Sequence, residues 1–274
     1  MTVGARQHAR PVDGEAVETI VQALVFIVGS VLLALLGLFN VRRRVPLDVQ
    51  MEQNEVAGFF IAVLGVVYAV ILAFAVIAVW EDLDEARVTS EREANSVGDL
   101  YRLAEGLPDA VRRPMQEQAI AYARSVVLDE WPLLHRGGES ANSRAAIESL
   151  WTLIRRFEPT GPREEALYGK LLEEIQEIND ERRMRLLSAR EGIPPLIWGV
   201  LIGGGVVTVL FTYFFGLKNF RAQVLMTVLY VASIGFVLFL IASIDHPFSG
   251  GVSITPEAME LVIQRIEALE AARR

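Results

Sequence analysis

Four long stretches without a charged residue alternate with charge-rich segments along the chain. They cover residues 19–41, 56–80, 193–217 and 222–244. A helix needs about 20 apolar residues, at about 1.5 Å each, to cross about 30 Å of hydrocarbon. The pattern therefore predicts an all-α polytopic membrane protein with four transmembrane helices in two hairpins. It excludes a soluble globule, a disulfide scaffold and a disordered chain.

The second stretch predicts a helix that continues beyond the bilayer. Residues 56–105 contain no proline, and after residue 80 small and apolar residues recur at steps of three and four. This stripe is typical of an amphipathic helix and consists of Leu83, Ala86, Ser90, Ala94, Val97, Tyr101 and Ala104. We predict one continuous helix of about 75 Å, with Gly98 as the one position that could interrupt it.

The charged middle of the chain predicts a layer of about four helices, two of which lead directly into membrane spans. A break at Pro108 makes Asp109 the expected N-cap of the next helix, and Pro132 is expected to end that helix. Two further helices are predicted at 143–157 and 163–192. No segment alternates with a period of two for long enough to indicate a strand.

These elements divide the chain into five predicted segments. They are an N-terminal tail (1–18), a first hairpin (19–80), a helical soluble domain (81–192), a second hairpin (193–244) and a C-terminal loop with an amphipathic helix (245–274). The first apolar run is too long for the apolar part of a signal peptide, so we expect it to be retained.

Composition and charge narrow the classes of function. The formal net charge of the 274 residues is −8, which argues against a nucleic-acid partner, because a phosphate-binding face is basic. The chain has no cysteine and three scattered histidines, and it carries no nucleotide-binding or hydrolase motif. We therefore expect no enzyme activity, no cofactor and no metal site. The absence of ionisable residues from the four stretches argues against a pump or coupled transporter.

The charges leave the membrane orientation open. The hairpin loops contain three arginines at 42–44 together with Lys218 and Arg221, and the positive-inside rule favours placing them in the cytoplasm. Four arginines between 182 and 190 and two in the N-terminal tail favour the opposite arrangement. Neither orientation is excluded by these charges.

The second span carries a stripe of small residues at helical spacing. Small residues allow helices to approach closely in lipid, where van der Waals packing replaces the hydrophobic drive. Such a stripe serves either an oligomer or pore interface or packing within one subunit. The pore or helix-packing candidates are Gly58, Ala62, Gly65, Tyr68, Ala69 and Ala73.

An acidic cluster follows directly after this span. Trp80 is the aromatic anchor expected at a membrane surface, and Glu81, Asp82, Asp84 and Glu85 come next. In an oligomer these carboxylates would form a ring that concentrates cations at a pore mouth. The alternative is a solvated helix face. The pore-mouth candidates are Trp80, Glu81, Asp82 and Glu85.

Short motifs spread over most of the chain resemble the bacterial bestrophin-like membrane proteins. They lie in the long second helix and at Glu130-Trp131-Pro132, Pro194-Pro195 with Trp198, and Asp245-His246-Pro247-Phe248 with Gly250. The family-motif candidates are Glu130, Trp131, Asp245, Pro247 and Phe248. True bestrophins, which are similar at greater distance, are pentameric, chiefly anion-conducting channels with a long second helix and a helical cytosolic domain. The resemblance implies that the N-terminus, middle and C-terminus lie inside and residues 42–44 outside.

Two functions from different classes follow. The first is a homo-oligomeric ion channel of the bacterial inner membrane, pentameric by analogy, whose second transmembrane helix lines a pore for an inorganic ion. Its partners are the lipid bilayer and further copies of the chain. The alternative is a non-conducting membrane scaffold or sensor that binds a protein partner through its helical domain.

Overall fold

The computed structural model describes residues 12–52 and 54–272, and all regular structure in these ranges is helical. The all-α prediction is confirmed. Most of the predicted N-terminal tail lies outside the described residues. The helices are α1 (Val12–Arg44), α2 (Leu47–Glu52), α3 (Asn54–Leu103), α4 (Asp109–Ser125), α5 (Trp131–Leu134), α6 (Ala141–Arg156), α7 (Pro162–Ser188), α8 (Pro195–Thr212), α9 (Phe220–Ile244) and α10 (Glu257–Ala272).

Stretches long and apolar enough to cross a membrane lie in α1, α3, α8 and α9. These are the four predicted spans. The predicted long helix is also confirmed, because α3 is a single helix of 50 residues and continues through Gly98. A glycine in a helix interior costs about 1 kcal/mol relative to alanine, which the packing on either side of Gly98 outweighs.

The chain forms two compact units. The membrane unit consists of the described residues up to Trp80 together with Ile193–Asp245, and the helical unit consists of Glu81–Gly192 and the described residues from His246. The helix α3 contributes its first part to the membrane unit and its second part to the helical unit.

Close helix contacts in the membrane unit centre on α1, α8 and α9. The helix α1 lies along α9, which also packs on α8. The hydroxyl of Tyr213, just after α8, donates to the carbonyl of Ala34 in α1 at 2.7 Å. A Cβ atom at Gly37 would lie 2.6 Å from that hydroxyl oxygen, so only glycine allows this close approach of Tyr213 to α1.

The short connection from α1 to α3 contains a helix, α2, where the sequence predicts no regular element between the two spans. Gln50 in this helix is buried, and its Nε2 donates to the carbonyl of Tyr213 at 3.2 Å. Asn54 pairs with the backbone of Gly216 through two hydrogen bonds of 2.9 and 3.0 Å. Polar side chains thus tie this connection to the loop that joins α8 to α9.

The helical unit has its own apolar core. The predicted stripe on α3 faces this core, since Ala94, Val97, Tyr101 and Ala104 are almost completely buried within it. Residues from α4, α6, α7 and α10 complete the cluster, including Tyr122, Leu150, Ile175 and Val262.

Two predicted helix boundaries in this unit are wrong. Asp109 is not an N-cap, because Pro108 holds that position and the Asp109 carboxylate pairs with Arg112 at 2.7 Å. Pro132 does not end its helix. Residues Val126–Glu130 form a wider π turn, in which the Trp131 N–H donates to the Val126 carbonyl, and this turn leads into α5 without a break. Pro132 therefore lies in the first turn of α5, where a backbone N–H has no partner within the helix and a proline is tolerated.

Candidate functional site

The membrane part of α3 contacts its own subunit along one face. Ala57, Tyr68, Leu72, Ala75 and Val79 are buried there. The hydroxyl of Tyr68 donates to the carbonyl of Leu201 in α8 at 2.8 Å. Tyr68 is therefore a packing residue within the subunit.

Two glycines of α8 allow the close approach of this tyrosine. A Cβ atom at Gly204 would lie 2.7 Å from the Tyr68 ring, and one at Gly205 would lie 2.9 Å from its hydroxyl oxygen. Gly199 and Gly203 of the same helix have no described atom within 4 Å of such a Cβ. The glycines of α8 thus divide into two that pack on α3 and two that are uncovered.

The small stripe on α3 itself is uncovered in the single subunit. A Cβ atom at Gly65 would meet no described atom within 4 Å, and one at Gly58 would meet only Phe215, at 3.8 Å. Ala62, Ala69 and Ala73 are exposed. The described part of the chain therefore provides no close helix partner for this stripe.

The pore-mouth candidates are exposed as well. Trp80 is 61% exposed, and Glu81, Asp82, Asp84 and Glu85 are exposed at the beginning of the helical unit. The described residues contain no group of three side chains suited to hold a metal ion. The cluster is a surface feature of the single subunit.

A buried network of charged side chains lies in the helical unit. Glu93 of α3, Glu130 at the end of the π turn and Arg185 of α7 are 0% exposed, and Arg182 is 7% exposed. Arg185 donates to Glu93 through Nε at 2.6 Å and through Nη2 at 3.0 Å, and its Nη2 also donates to Glu130 Oε2 at 2.8 Å. The network contains two carboxylates and two guanidinium groups, so its formal charges balance.

Further donors complete the hydrogen bonding of the two carboxylates, Glu93 and Glu130. Arg182 donates to Glu130 through Nη2 at 2.5 Å and through Nε at 3.1 Å. The backbone N–H of Ser140 donates to Glu130 Oε1 at 3.0 Å, and the Tyr122 hydroxyl donates to Glu93 Oε1 at 2.5 Å. A buried charge is tolerated when it is paired and hydrogen-bonded in this way.

The protonation behaviour follows from this geometry. Burial raises the pKa of Glu130, but the hydrogen bond from Arg182 and the charges of Arg185 and Arg182 outweigh that effect, so the pKa lies below its ordinary value. Burial and the neighbouring Glu93 carboxylate raise the pKa of the Tyr122 hydroxyl well above its ordinary value. Burial lowers the pKa of Arg185, but the Glu93 carboxylate more than compensates and raises it. The site is therefore a stable set of charged groups with a neutral tyrosine.

The network was not predicted, although the sequence contains a signal for it. Leu171, Ile175 and Ile178 follow one another at steps of four and three along one face of α7, and the same steps lead on to Arg182 and Arg185. Arginines on a buried stripe require buried acids. On α3, Glu93 lies three residues after Ser90 of the predicted stripe and is likewise buried.

The family-motif residues hold loops and helix ends. Trp131 packs edge-on against Phe248 at 5.6 Å between ring centroids, and its Nε1 donates to the carbonyl of Ile254 at 3.2 Å. The carbonyl of Pro247 accepts from the Ile254 N–H at 2.8 Å. In the membrane unit Asp245 accepts from the Ile193 N–H at 2.6 Å. Of the motif residues, Glu130 is a member of the buried network.

The sequence of this chain matches a known protein family over most of its length. Residues 28–259 match a family model described as the Bestrophin-like domain. Comparison with curated proteins finds none that matches the sequence.

The fold is similar to solved structures of a bacterial bestrophin homolog from Klebsiella pneumoniae. One single-residue variant is 14% identical, with a TM-score of 0.69, and the alignment covers 91% of this chain and 99% of that one. A second is 15% identical, with a TM-score of 0.66 and coverage of 89% and 97%. A structure described as a membrane protein is also similar, at 15% identity, a TM-score of 0.63 and the same coverage. At these identities the similarity concerns the fold.

Proposed function

Because the chain belongs to the Bestrophin-like family, we propose that it is a homo-oligomeric ion channel in which the membrane part of α3 lines the pore. A pentamer is the assembly expected by analogy with bestrophins. Four membrane-length helices fit a multi-pass protein of the bacterial inner membrane, since outer-membrane spans are β-barrels.

The observation that carries the proposal is the uncovered small stripe on α3. The adjacent face of the helix, around Tyr68 and Leu72, is packed within its own subunit. The stripe from Gly58 to Ala73 is free to contact other copies of the chain or the pore axis. Close approach of helices at small residues is a common basis of association in lipid.

The same helix carries both the pore wall and the buried network. Gly65 and Glu93 belong to one uninterrupted helix, and Glu93 is fixed to α7 through Arg185. We propose that the network sets the position of the part of α3 that lies in the helical unit. A stimulus that disturbs the network then acts directly on the pore-lining helix.

The chemistry of α3 supports a hydrophobic constriction. Its membrane part contains no ionisable residue between 56 and 80, and the exposed side chains near the stripe, such as Phe59, Val66 and Phe74, are apolar. Constrictions of this kind gate by dewetting. The carboxylates of Glu81, Asp82 and Glu85 would form a ring at the mouth and raise the local concentration of inorganic cations.

Two measurements on the purified full chain test the proposal. The first is its mass in mild detergent, which is expected to correspond to a ring-forming oligomer. The second is the flux of chloride and of potassium through proteoliposomes, measured over a range of voltages. We expect flux of at least one ion that depends on the amount of protein inserted.

A monomer or dimer without flux of either ion would overturn the channel. A subunit that forms no ring has no axis along which a pore can run. That outcome would favour the scaffold, in which the helical unit binds a protein partner.

A further inference from the structure

A groove of about 530 Å³ runs between α1, α8 and α9 in the membrane unit. Its walls include Phe26 and Ala34 of α1, Ile202 and Val209 of α8, and Val231 and Leu238 of α9. The volume lies within the range of about 300–1,000 Å³ that is typical of ligand sites. The groove is lined almost entirely by apolar side chains.

The polar side chains that border the groove already have partners. The Tyr213 hydroxyl donates to Ala34, and the Ser30 hydroxyl donates to the carbonyl of Phe26 at 2.8 Å. Trp198 at the other end donates through Nε1 to Asp245 at 3.3 Å. A polar occupant would lose its hydrogen bonds to water without replacing them, so the groove favours an apolar chain.

The groove has the length of one lipid leaflet or more. Trp198 and Tyr213 mark its two ends along α8 and lie 15 residues apart in the sequence, which corresponds to about 22 Å of helix. One leaflet contributes about 15 Å of a hydrocarbon core of about 30 Å. An acyl chain that enters at one end therefore fits along the groove.

A basic loop lies at the Tyr213 end. Arg42 donates to the carbonyl of Leu217 at 2.9 Å and to Gln223 Oε1 at 2.5 Å, which brings the end of α1 against the loop that follows Tyr213. The exposed cations at this end are Arg43, Arg44, Lys218 and Arg221.

The connections from α1 to α3 and from α8 to α9 contain fewer acidic than basic residues. Asp48, Glu52 and Glu55 follow the three arginines, whereas the cations number five when Arg42 is included. The end of the groove thus carries an excess of positive charge. Basic clusters next to membrane spans attract anionic lipid headgroups.

We propose that this groove binds an anionic phospholipid, with one acyl chain between α1, α8 and α9 and the phosphate against the basic loop. The inference does not depend on ion conduction, because it rests on the membrane unit of one subunit. It assigns to residues 42–44, Lys218 and Arg221 a role in lipid binding.

Lipid binding to the purified full chain tests the proposal, with native mass spectrometry as the readout. The probes are dioleoyl phosphatidylglycerol and, as the zwitterionic comparison, dioleoyl phosphatidylcholine. We expect the anionic lipid to bind about tenfold more tightly, since basic residues next to a membrane span attract anionic headgroups. Neutralising Arg43, Arg44, Lys218 and Arg221 to glutamine should remove the preference and leave the weaker binding of phosphatidylcholine.

A matched pair of variants tests the groove itself. Val206 lines it and is 53% exposed, whereas the adjacent Val207 does not line it and is 45% exposed. Val206→Trp should weaken binding of phosphatidylglycerol about fivefold or more, and Val207→Trp should leave it unchanged. Ala242→Phe, from an exposed groove position, replaces Val206→Trp if that variant does not fold.

Two results would overturn the proposal. Equal affinities for the two lipids in the unmodified protein would show that the basic loop does not select a headgroup. Groove-filling variants that change the oligomer mass and leave lipid binding unchanged would show that a second copy of the chain occupies the groove.

Discussion

Arg185 of α7 holds Glu93 of α3 through two hydrogen bonds, from Nε at 2.6 Å and from Nη2 at 3.0 Å, with both side chains inaccessible to solvent. This pair joins the two longest helices of the helical unit at a point where their apolar stripes meet. Its geometry uses the planar fork of a guanidinium group, which a lysine cannot reproduce.

Replacing Arg185 by lysine should therefore destabilise the protein. Lysine keeps the positive charge, but its ammonium group cannot reproduce the parallel N–H donors to Glu93 while it also reaches Glu130. Each hydrogen bond to a charged group that is lost costs about 1.5–3 kcal/mol. Thermal unfolding in detergent should show a melting temperature several degrees lower. Arg183→Lys is the control, because the Arg183 side chain is 69% exposed. Equal melting temperatures for both variants would contradict a structural role of the network.

The stability should also depend on pH through Glu130. The pKa of Glu130 in the folded protein lies below its ordinary value of 4.5, so its stabilising contribution is complete above that value and is lost as the pH falls through the lowered folded-state pKa. Glu130→Gln should lower the melting temperature at neutral pH and reduce its further fall in acid. The exposed Glu148 provides the control variant Glu148→Gln, which should retain the full acid dependence.

A substitution at Gly65, within the uncovered stripe, tests whether the stripe mediates assembly of several copies of the chain. Gly65→Leu introduces a side chain whose Cβ atom meets no described atom of its own subunit within 4 Å, so the subunit should fold normally. The close approach of helices from neighbouring copies should be lost, and the mass in detergent should fall to that of smaller species. Gly29→Leu in α1, which is equally uncovered, is expected to leave the mass unchanged. An unchanged mass for Gly65→Leu would show that the stripe faces lipid.

The acidic cluster should influence cation flux. The combined variant Glu81→Gln, Asp82→Asn and Glu85→Gln removes three negative charges per subunit at the proposed mouth. Potassium flux through proteoliposomes should fall several-fold at low ionic strength and much less at about 1 M salt, where the Debye length is about 3 Å. Equal flux at low salt would identify the cluster as a solvated helix face.

Single cysteines should settle the membrane orientation, because the chain contains no native cysteine. Arg43 and Ala141 are exposed and suit this purpose, whereas Ser140 is 5% exposed and caps α6. By analogy with bestrophins, Arg43→Cys should react with an impermeant maleimide in intact cells, and Ala141→Cys should react only after permeabilisation. The reverse pattern would show that the bestrophin orientation does not apply.

Local pattern was sufficient to predict the long helices. The four spans follow from charge-free length, and the continuation of α3 follows from the absence of proline and the stripe from Ala86 to Tyr101. The errors at Asp109 and Pro132 have a local cause. The first turn of a helix can shift by one residue, and a π turn accommodates a proline that pattern alone treats as a terminator.

The contacts between distant side chains could not be predicted from the sequence. In the sequence, Arg182 and Arg185 resemble the basic residues that flank a membrane span. In the structure, they pair with Glu130 of the π turn and Glu93 of α3. The small stripe of α3 could pack inside or outside its subunit, and the structure leaves it uncovered because Tyr68 on the adjacent face packs on α8. The sequence alone determined which long segments are helical and which cross the membrane, since these depend on local composition and period. Only the tertiary structure decided which faces are buried, because burial depends on residues that are distant in the chain.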